Sequence, residues 1–194
     1  MKRLSKGAEA DLFLEDGNIL KRRVEKKYRI PVLDKRIRRR RTKSEAKNLE
    51  RAKSSGVNVP AVVSVDEKGY AIRMQYLKGD TLKDVIEGGS DLSYVVEVGG
   101  ILKKLHEANL VHNDLTTSNI IVSEDKPYFI DFGLSFQSHR LEDKAMDLVV
   151  FKKSIEATHP QNAKMIWDKL LSGYCPSAQI LSRVKTIEKR VRYK

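Results

Sequence analysis

Asp114, Asn119 and Asp131 are the residues whose types and spacing point most directly to chemistry. The first two belong to the run His112-Asn113-Asp114-Leu115-Thr116-Thr117-Ser118-Asn119, and Asp131-Phe132-Gly133 begins twelve residues after Asn119. Their carboxylate and amide groups can bind metal ions and orient a hydroxyl group, which is what the transfer of a charged phosphoryl group requires. A phosphoryl-transfer site is therefore one hypothesis for this segment.

The same run resembles the catalytic loop of protein kinases, H-x-D-x-x-x-x-N, followed by the metal-binding D-F-G motif. The resemblance implies that Asp131 binds one metal ion and Asn119 a second, while Asp114 orients the incoming hydroxyl group and accepts its proton. The alternative is that these residues only form turns. For His112 the expected role is support of the backbone, with catalysis as a base left as the alternative.

Lys21 could complete the site by holding the α- and β-phosphates, with Glu45 as its ion-pair partner. Lys21 closes the predicted strand Ile19-Leu20-Lys21, as the lysine of V-A-I-K does in kinases, and Glu45 lies on the next predicted helix. Both stand among many charges, so a solvated surface pair is the alternative. The place of the glycine-rich loop holds a single glycine. We predict that this segment contacts phosphate through Gly7, Ala8, Glu9 and Ala10. The alternative is a plain turn with no ligand role.

The segment after the D-F-G motif is short. Eight residues separate Gly133 from Glu142, and no A-P-E motif follows to anchor an activation segment and a platform for peptide substrates. Regulation through phosphorylation of an activation loop is therefore not expected. Asp147 lies on the helix predicted to follow, where an acidic residue can tie down the backbone of the catalytic loop. A position on a plain surface helix is the alternative.

The composition indicates a globular, strongly charged protein that can fold without disulfides or a structural metal. The chain has 194 residues, 40% of them hydrophobic and 33% charged, with a formal net charge of +12. Between Lys21 and Lys43 there are 13 basic side chains against two acidic ones, so this segment makes the protein basic. No apolar stretch approaches the ~18 residues of a membrane span, and Cys175 is the only cysteine. We expect a cytoplasmic protein without membrane contact.

The predicted elements form a strand-rich part followed by a helical part. Strands are predicted over Leu4–Leu14 and Asn18–Val24, joined at the Asp16-Gly17 turn. Periodicity and turn signals then predict helices over Ser44–Lys53, Leu92–Ala108, Asp143–Ala157, Asn162–Leu171 and Ala178–Arg190, and hairpins of Val59–Val65 with Tyr70–Leu77 and of Ile120–Val122 with Tyr128–Ile130. This is an α+β fold: a minimal bilobal kinase-like domain, with a strand-rich N-terminal lobe over 1–78 and a reduced helical C-terminal lobe over 79–194.

Several stretches resemble one family with this fold. They are Gly7-Ala8-Glu9-Ala10, Tyr28-Arg29-Ile30-Pro31-Val32-Leu33-Asp34, Asp114-Leu115-Thr116-Thr117-Ser118-Asn119, Asp131-Phe132-Gly133-Leu134-Ser135, Glu142-Asp143-Lys144-Ala145-Met146-Asp147 and a basic C-terminal tail. The pattern spans nearly the whole chain and is similar to that of the small atypical Ser/Thr kinase and ATPase of the KEOPS (EKC) complex, called PRPK in animals. Asn113 departs from it, since relatives often carry glycine or another residue there.

The resemblance implies ATP as the substrate, Mg²⁺ as the metal ion with Mn²⁺ as an alternative, and a role in making threonylcarbamoyladenosine in tRNA. It also implies contact with the large threonylcarbamoyltransferase subunit, with the other KEOPS subunits and, through the complex, with tRNA. Basic side chains could neutralise tRNA phosphates, the alternative being a solvated helix face or flexible surface. The candidates are Arg36, Arg38, Arg39, Arg40, Arg41, Lys43, Arg190, Arg192 and Lys194.

Three functions stay open on the sequence alone. The favoured one is an atypical Ser/Thr protein kinase and ATPase that serves a tRNA-modification assembly. The second is a free-standing kinase for a protein or small molecule, and the third is a basic RNA-binding scaffold on an inactive kinase fold. The third is disfavoured because an inactive site has no physical need to keep all four of its ligands, Lys21, Asp114, Asn119 and Asp131.

Overall fold

The N-terminal part of the protein is an antiparallel sheet with one long helix. The computed structural model describes residues 1–7, 9–89 and 92–192, without the side chains of residues 191 and 192. The elements of this part are β1 (Lys2–Lys6), β2 (Ala10–Glu15), β3 (Asn18–Arg23), α1 (Pro31–Ser54), β4 (Val62–Asp66) and β5 (Ala71–Gln75). The strands form one sheet in the order β1-β2-β3-β5-β4.

Two predictions for this part were wrong. The single strand predicted over Leu4–Leu14 is two strands, because the chain turns at Gly7, whose amide donates to the Ala10 carbonyl oxygen at 3.1 Å. The helix predicted to begin at Ser44 begins already at Pro31. Proline has a preset φ suited to the first helical turn, and Asp34 in that turn is favourable for the helix dipole. Most of the basic stretch is therefore helical.

The hairpin turn between β2 and β3 forms as predicted. Asp16 and Gly17 both have positive φ, 50° and 72°, which is the conformation of a two-residue hairpin loop whose twist matches that of its strands. The turn sets the register, so that Glu15 pairs with Asn18 and Leu12 with Lys21. Since β3 also pairs with β5, Lys21 lies in a central strand of the sheet.

The C-terminal part is mainly helical. Its elements are β6 (Asp80–Thr81), α2 (Leu82–Glu87), α3 (Ser93–Glu107), β7 (Leu110–Val111), β8 (Ile120–Ser123), β9 (Lys126–Phe129), β10 (Phe136–Gln137), α4 (Leu141–Thr158), α5 (Ala163–Tyr174) and α6 (Ala178–Arg192). β6, β8 and β9 form one small sheet, and β7 pairs with β10. The sequence did not predict β6, α2, β7 or β10, which are too short to show a periodic pattern. No helix in the described ranges is long and apolar enough to cross a membrane.

The helices α3 and α5 pack closely enough to require a glycine on each of them, Gly99 on α3 and Gly173 on α5. A Cβ atom on Gly99 would lie 2.2 Å from the Leu170 carbonyl oxygen, and one on Gly173 would lie 1.9 Å from the Val96 carbonyl oxygen. Only glycine permits this approach of two backbones. The crossing fixes α5 against α3, and thereby brings Tyr174 at the end of α5 next to His106 in the last turn of α3.

Candidate active site

A cleft of about 580 Å³ lies between the N-terminal sheet and the C-terminal part. This volume is in the ordinary range for small-molecule sites. One part of the lining is apolar and includes Leu12, Ile19 and Met74, and another is charged and includes Lys21 and Asp131. Such a cleft can take a ligand with a flat apolar end and a strongly charged end.

Four charged side chains meet at the polar end of the cleft. The Lys21 Nζ donates to Glu45 Oε1 at 2.6 Å and to Asp131 Oδ1 at 2.7 Å. The second Glu45 oxygen, Oε2, accepts a hydrogen bond from the guanidinium of Arg23. Glu45, Arg23 and the Lys21 side chain are largely buried, whereas the Asp131 side chain is 46% exposed. The cluster joins β3, α1 and the D-F-G segment, and its two positive and two negative charges balance.

The charges of this cluster shift the pKa values of its members in opposite directions. Burial by itself lowers the pKa of Lys21, but the carboxylates of Glu45 and Asp131 outweigh it, so that the pKa lies above its ordinary value. Burial by itself raises the pKa of Asp131, but the Lys21 charge and hydrogen bond and the Gly133 amide outweigh it, so that this pKa is lowered. At neutral pH Lys21 is therefore a cation and Asp131 a carboxylate.

Asp114 and Asn119 lie at the C-terminal side of the same cleft. A 3₁₀ turn over Thr117–Asn119 brings the Asn119 amide nitrogen to 2.8 Å from the Asp114 carbonyl oxygen and 3.2 Å from its Oδ2. The Asn119 Oδ1 oxygen makes no hydrogen bond to any residue that the structure describes. The two side chains thus hold each other while leaving a carboxylate oxygen and an amide oxygen for other partners.

The backbone of the catalytic segment rests on Asp147. This carboxylate is fully buried on α4. Its Oδ2 accepts the His112 amide at 2.7 Å and its Oδ1 accepts the Asn113 amide at 2.6 Å. Of the two readings that the sequence allowed for Asp147, the structure shows the tie to the catalytic loop.

A buried histidine and tyrosine extend this support. The His106 Nε2 lies 3.1 Å from Asp147 Oδ2, and its Nδ1 lies 2.8 Å from the Tyr174 hydroxyl. Because a carboxylate only accepts, Nε2 carries the proton, and Nδ1 accepts from the hydroxyl. Burial, with the charges of Asp147 and Glu107, raises the pKa of Tyr174, so the phenol keeps its proton. The end of α5 is thus connected to the catalytic loop through two side chains.

His112 supports the backbone as well, as the sequence suggested. Its ring is buried, lies 4.9 Å from the Phe132 ring between centroids, and donates from Nε2 to the Ile130 carbonyl oxygen at 3.0 Å. The segment after the D-F-G motif is held from the other lobe, where the Asn48 amide donates to the Ser135 carbonyl oxygen at 3.0 Å. These contacts fix the position of Asp131 from both sides of the cleft.

The loop between β1 and β2 also faces the cleft, through Gly7, Glu9 and Ala10. The predicted contact residue Ala8 lies outside the described residues. The Gly7 amide is already used inside the turn, and the Glu9 carbonyl oxygen accepts from the Val24 amide at 3.1 Å. The loop is therefore in the expected place, but its own turn uses part of its backbone hydrogen-bonding capacity.

The sequence of residues 18–159 matches the RIO domain family. A protein of Pyrococcus abyssi named KEOPS complex subunit Bud32 is 39% identical to this chain, and the match covers 100% of this chain and 97% of that protein. The chain belongs to the RIO domain family. A "probable bifunctional tRNA threonylcarbamoyladenosine biosynthesis protein" of Methanococcus vannielii is 45% identical over 98% of this chain, which spans 36% of that longer protein. The family predicted from the sequence is thus confirmed.

Solved structures show the same fold. Two structures of the Rio2 kinase from Chaetomium thermophilum, one of them an ADP/Mg²⁺-phosphoaspartate complex, match the whole chain at 14% identity with TM-scores of 0.64 and 0.66. The matches cover 72% and 74% of the two Rio2 chains. The α+β fold with a strand-rich first part and a helical second part is therefore confirmed.

The basic side chains predicted to contact tRNA are distributed over several faces of this RIO domain. Arg38 pairs with Asp34 and stacks on Tyr70, and Arg39 and Lys43 both pair with Glu67. Arg41 pairs with Glu9 and lines the cleft, Arg190 pairs with Glu142, and Arg36 and Arg40 are exposed with no ion pair to a described residue. The Arg192 side chain and Lys194 lie outside the described residues.

Three residues that support the site were not predicted from the sequence. Arg23 stands in a basic run, His106 lies on an ordinary amphipathic helix, and Tyr174 lies beyond the family match at the end of α5. For Arg23 a signal existed, since it shares a strand with Lys21 at a spacing of two and therefore faces the same side of the sheet. Tyr174 meets His106 through the α3–α5 crossing, which no local pattern could reveal.

Proposed function

We propose that this chain is the ATP- and Mg²⁺-dependent atypical kinase and ATPase subunit of a KEOPS-type assembly that makes threonylcarbamoyladenosine in tRNA. The enzymatic part of the proposal depends on the two hydrogen bonds that the Lys21 Nζ donates, one to Glu45 and one to Asp131. It brings a strand lysine, a helix glutamate and the D-F-G aspartate to one end of a cleft that Asp114 and Asn119 also line. These are the groups that phosphoryl transfer from ATP needs.

The donor set fits Mg²⁺ held jointly with a nucleotide. Among the described residues no group of three His, Cys, Asp or Glu side chains could hold a metal ion by itself. Mg²⁺ in phosphoryl-transfer sites typically takes one or two carboxylates and completes its shell with phosphate oxygens and water. Asp131 and the free oxygen of Asn119 would hold it, and it would neutralise charge on the phosphates.

Asp114 would act on the attacking group. Its carboxylate is held by the Asn119 amide at 3.2 Å, while the main chain next to it is fixed by Asp147. It would orient a hydroxyl group or a water molecule and accept its proton as the new bond to phosphorus forms and ADP leaves. Lys21 is cationic at neutral pH. It would keep its hydrogen bond to Glu45 and replace its hydrogen bond to Asp131 with hydrogen bonds to phosphate oxygens.

The short segment after the D-F-G motif supports hydrolysis, or transfer to a substrate presented by a partner, over phosphorylation of free peptides. α4 begins at Leu141, and β10 ties Phe136 and Gln137 to β7. Because this segment is short and its backbone is hydrogen-bonded to β7, it offers little surface to which a peptide could bind. A serine or threonine acceptor would have to be delivered by another subunit.

The assembly role is supported by the relatives. One is named as a KEOPS subunit over nearly its whole length, and the others are longer proteins named for threonylcarbamoyladenosine biosynthesis. The partners we propose are the large threonylcarbamoyltransferase subunit, the other KEOPS subunits and tRNA. The cytoplasm, where tRNA is available to such an assembly, is the compartment we propose.

For tRNA we propose contact through the exposed part of α1. Arg36 and Arg40 differ by four positions, so they lie on one face of the helix, and both are without an ion pair to a described residue. Replacing both with glutamine should weaken tRNA binding and reduce the slope of log affinity against log salt by about 2. Lys47→Gln, an exposed change further along α1, is the control. An unchanged salt slope in the double variant would place the tRNA contact elsewhere.

The test of the enzymatic proposal is phosphate release from ATP with Mg²⁺, by wild type and Asp131→Asn, first alone and then with the large transferase subunit and tRNA. We expect turnover that rises with these partners and falls at least about 100-fold in the variant, because a metal ligand is lost. Asp168→Asn, an exposed change on α5, is the matched control. No turnover in any mixture, with tRNA binding intact, would leave an RNA-binding scaffold on an inactive fold.

A further inference from the structure

Arg41 belongs to the basic run of α1, but its side chain lines the cleft. It precedes Glu45 by four residues on α1, so the two side chains share one helix face. Among the described residues of α1, only Arg41 and Glu45 line the cleft. Arg38 and Arg39 are engaged elsewhere, with Asp34 at 2.6 Å and with Glu67 at 3.0 Å. Arg41 is thus the cation that α1 presents to the charged end of the cleft, one turn away from the residue that holds Lys21.

Its partner in the structure is Glu9, in the loop between β1 and β2. The Arg41 Nη1 donates to Glu9 Oε2 at 2.6 Å, with the side chains 29% and 50% exposed. Arg29 lies 4.0 Å from the other Glu9 oxygen. Ion pairs this exposed contribute little to stability because water competes for both partners. The pair can therefore be opened by a stronger anion at low cost.

The loop beside this pair needs a cation from elsewhere. A glycine-rich loop holds phosphates with its backbone amides, but here the loop has one glycine, and the Gly7 amide already donates to Ala10. A guanidinium group offers parallel donors that match two oxygens of a phosphate, which an ammonium group does not. A triphosphate also carries more negative charge than the single carboxylate of Glu9.

We propose that Arg41 binds the phosphates of the nucleotide and that Glu9 is a competing anion, which Arg41 releases when the triphosphate enters. The inference rests on the proposed binding of ATP in this cleft. Arg41 then stabilises the phosphate end together with Lys21, and Glu9 lowers the affinity for the triphosphate, because Arg41 must leave Glu9 before it can bind the phosphates.

The experiment is calorimetric titration with ATP, AMP and adenosine in the presence of Mg²⁺. For Arg41→Ala we expect a loss of ATP affinity of about tenfold or more and an unchanged adenosine affinity. Arg41→Lys should recover part of the ATP affinity, since it restores charge but not the parallel donors. Glu9→Gln should tighten ATP binding, and should no longer do so when combined with Arg41→Ala. Lys47→Ala removes a charge from an exposed position of the same helix and should change nothing.

The outcomes separate this inference from the function on which it rests. Equal losses for ATP and adenosine in Arg41→Ala would show a structural role and overturn the inference, as would an unchanged ATP affinity. In both cases wild-type binding and hydrolysis of ATP would leave the proposed function standing. A wild type that binds no ATP would overturn the proposed function and this inference together.

Discussion

Two loops face each other across the cleft, and they are held in different ways. The catalytic loop on the C-terminal side rests on Asp147, which is fully buried and accepts two backbone amides at 2.7 and 2.6 Å. The loop between β1 and β2 on the other side is held through Glu9 and Arg41, both of them partly exposed. A buried network is costly to disturb, whereas an exposed ion pair exchanges readily with water and anions.

The difference suggests a division of labour between the lobes. In the proposed mechanism Asp114 and Asn119 must be placed accurately for chemistry, and they belong to the rigid side. Glu9 and Arg41, which we propose admit and release a charged ligand, belong to the adaptable side. Lys21 and Asp131 connect the two sides through the bond at 2.7 Å that a nucleotide would have to open.

The largest effect on the rigid side should come from Asp147→Asn. The variant keeps the shape of the side chain but turns an acceptor into a donor that faces the amides of the catalytic loop. We expect the free energy of unfolding to fall by about 3 kcal/mol or more, measured by urea denaturation, with at least a tenfold loss of phosphate release. Glu156→Gln, an exposed change on α4, should be neutral. A variant as stable as wild type would remove the basis for calling this side rigid.

Asp34, a buried carboxylate in the first turn of α1, gives a smaller effect on the adaptable side that depends on pH. Burial by itself raises the pKa of Asp34, but the hydrogen bonds from Arg38 and Lys26 and the charges of Arg38 and Arg29 outweigh it, so that the pKa is lowered.

A lowered folded-state pKa stabilises the protein fully above the unfolded-state value, near 3.8, and the stabilisation is lost as pH falls through the folded-state pKa. The free energy of unfolding of wild type should therefore decrease more steeply below pH 4 than that of Asp34→Asn. Glu25→Gln, an exposed change before α1, should follow the wild-type curve. Parallel curves for Asp34→Asn and wild type would show that Asp34 does not anchor the start of α1.

Tyr174→Phe tests how far the rigid network extends. The change leaves the His106 Nδ1 without its donor inside the protein, so we expect a loss of about 1 kcal/mol in the free energy of unfolding. Hydrogen exchange at the His112 and Asn113 amides should become faster. Tyr28→Phe, which removes a hydroxyl from a side chain that is 78% exposed, is the control. If hydrogen exchange at these amides were unchanged, Asp147 alone would support the backbone of the catalytic loop, without a contribution from Tyr174.

The smallest effect on stability is expected for Gly7→Ala, in the adaptable loop. The new Cβ atom would lie 2.5 Å from the Ala10 carbonyl oxygen, so the turn must open. Opening the turn breaks the hydrogen bond from the Gly7 amide to the Ala10 carbonyl oxygen. We therefore expect a loss of about 0.5 kcal/mol in the free energy of unfolding, the low end for one hydrogen bond, and a several-fold loss of ATP affinity.

The control for this change is Gly100→Ala, in α3, where the new Cβ atom meets nothing within 4 Å. It should instead stabilise the protein by about 0.5 to 1 kcal/mol without affecting ATP binding. If Gly7→Ala destabilised the protein as much as Asp147→Asn, the two loops would not differ in the way described.

Much of the site could be read from the sequence because its members carry strong local signals. Asp114, Asn119 and Asp131 occur at fixed spacings, and Lys21 follows an Asp-Gly hairpin that sets the register of its strand. The same local signals did not reveal that α1 begins at Pro31, because eight of the thirteen residues from Pro31 to Lys43 are charged and no apolar stripe marks the helix there. Whether an arginine of this helix faces the cleft or the solvent depends on tertiary packing, so Arg41 could only be grouped with its neighbours.

The most direct test of the account is to measure ATP binding and phosphate release together in Asp114→Asn. Asp114 is assigned to the attacking group, whereas Lys21, Arg41 and the metal ligands Asn119 and Asp131 are assigned to the nucleotide. We expect the variant to bind ATP with Mg²⁺ within about threefold of wild type while phosphate release falls at least about 100-fold, the usual contribution of a positioned base. A variant that releases phosphate at the wild-type rate would contradict the assignment of chemistry to the catalytic loop.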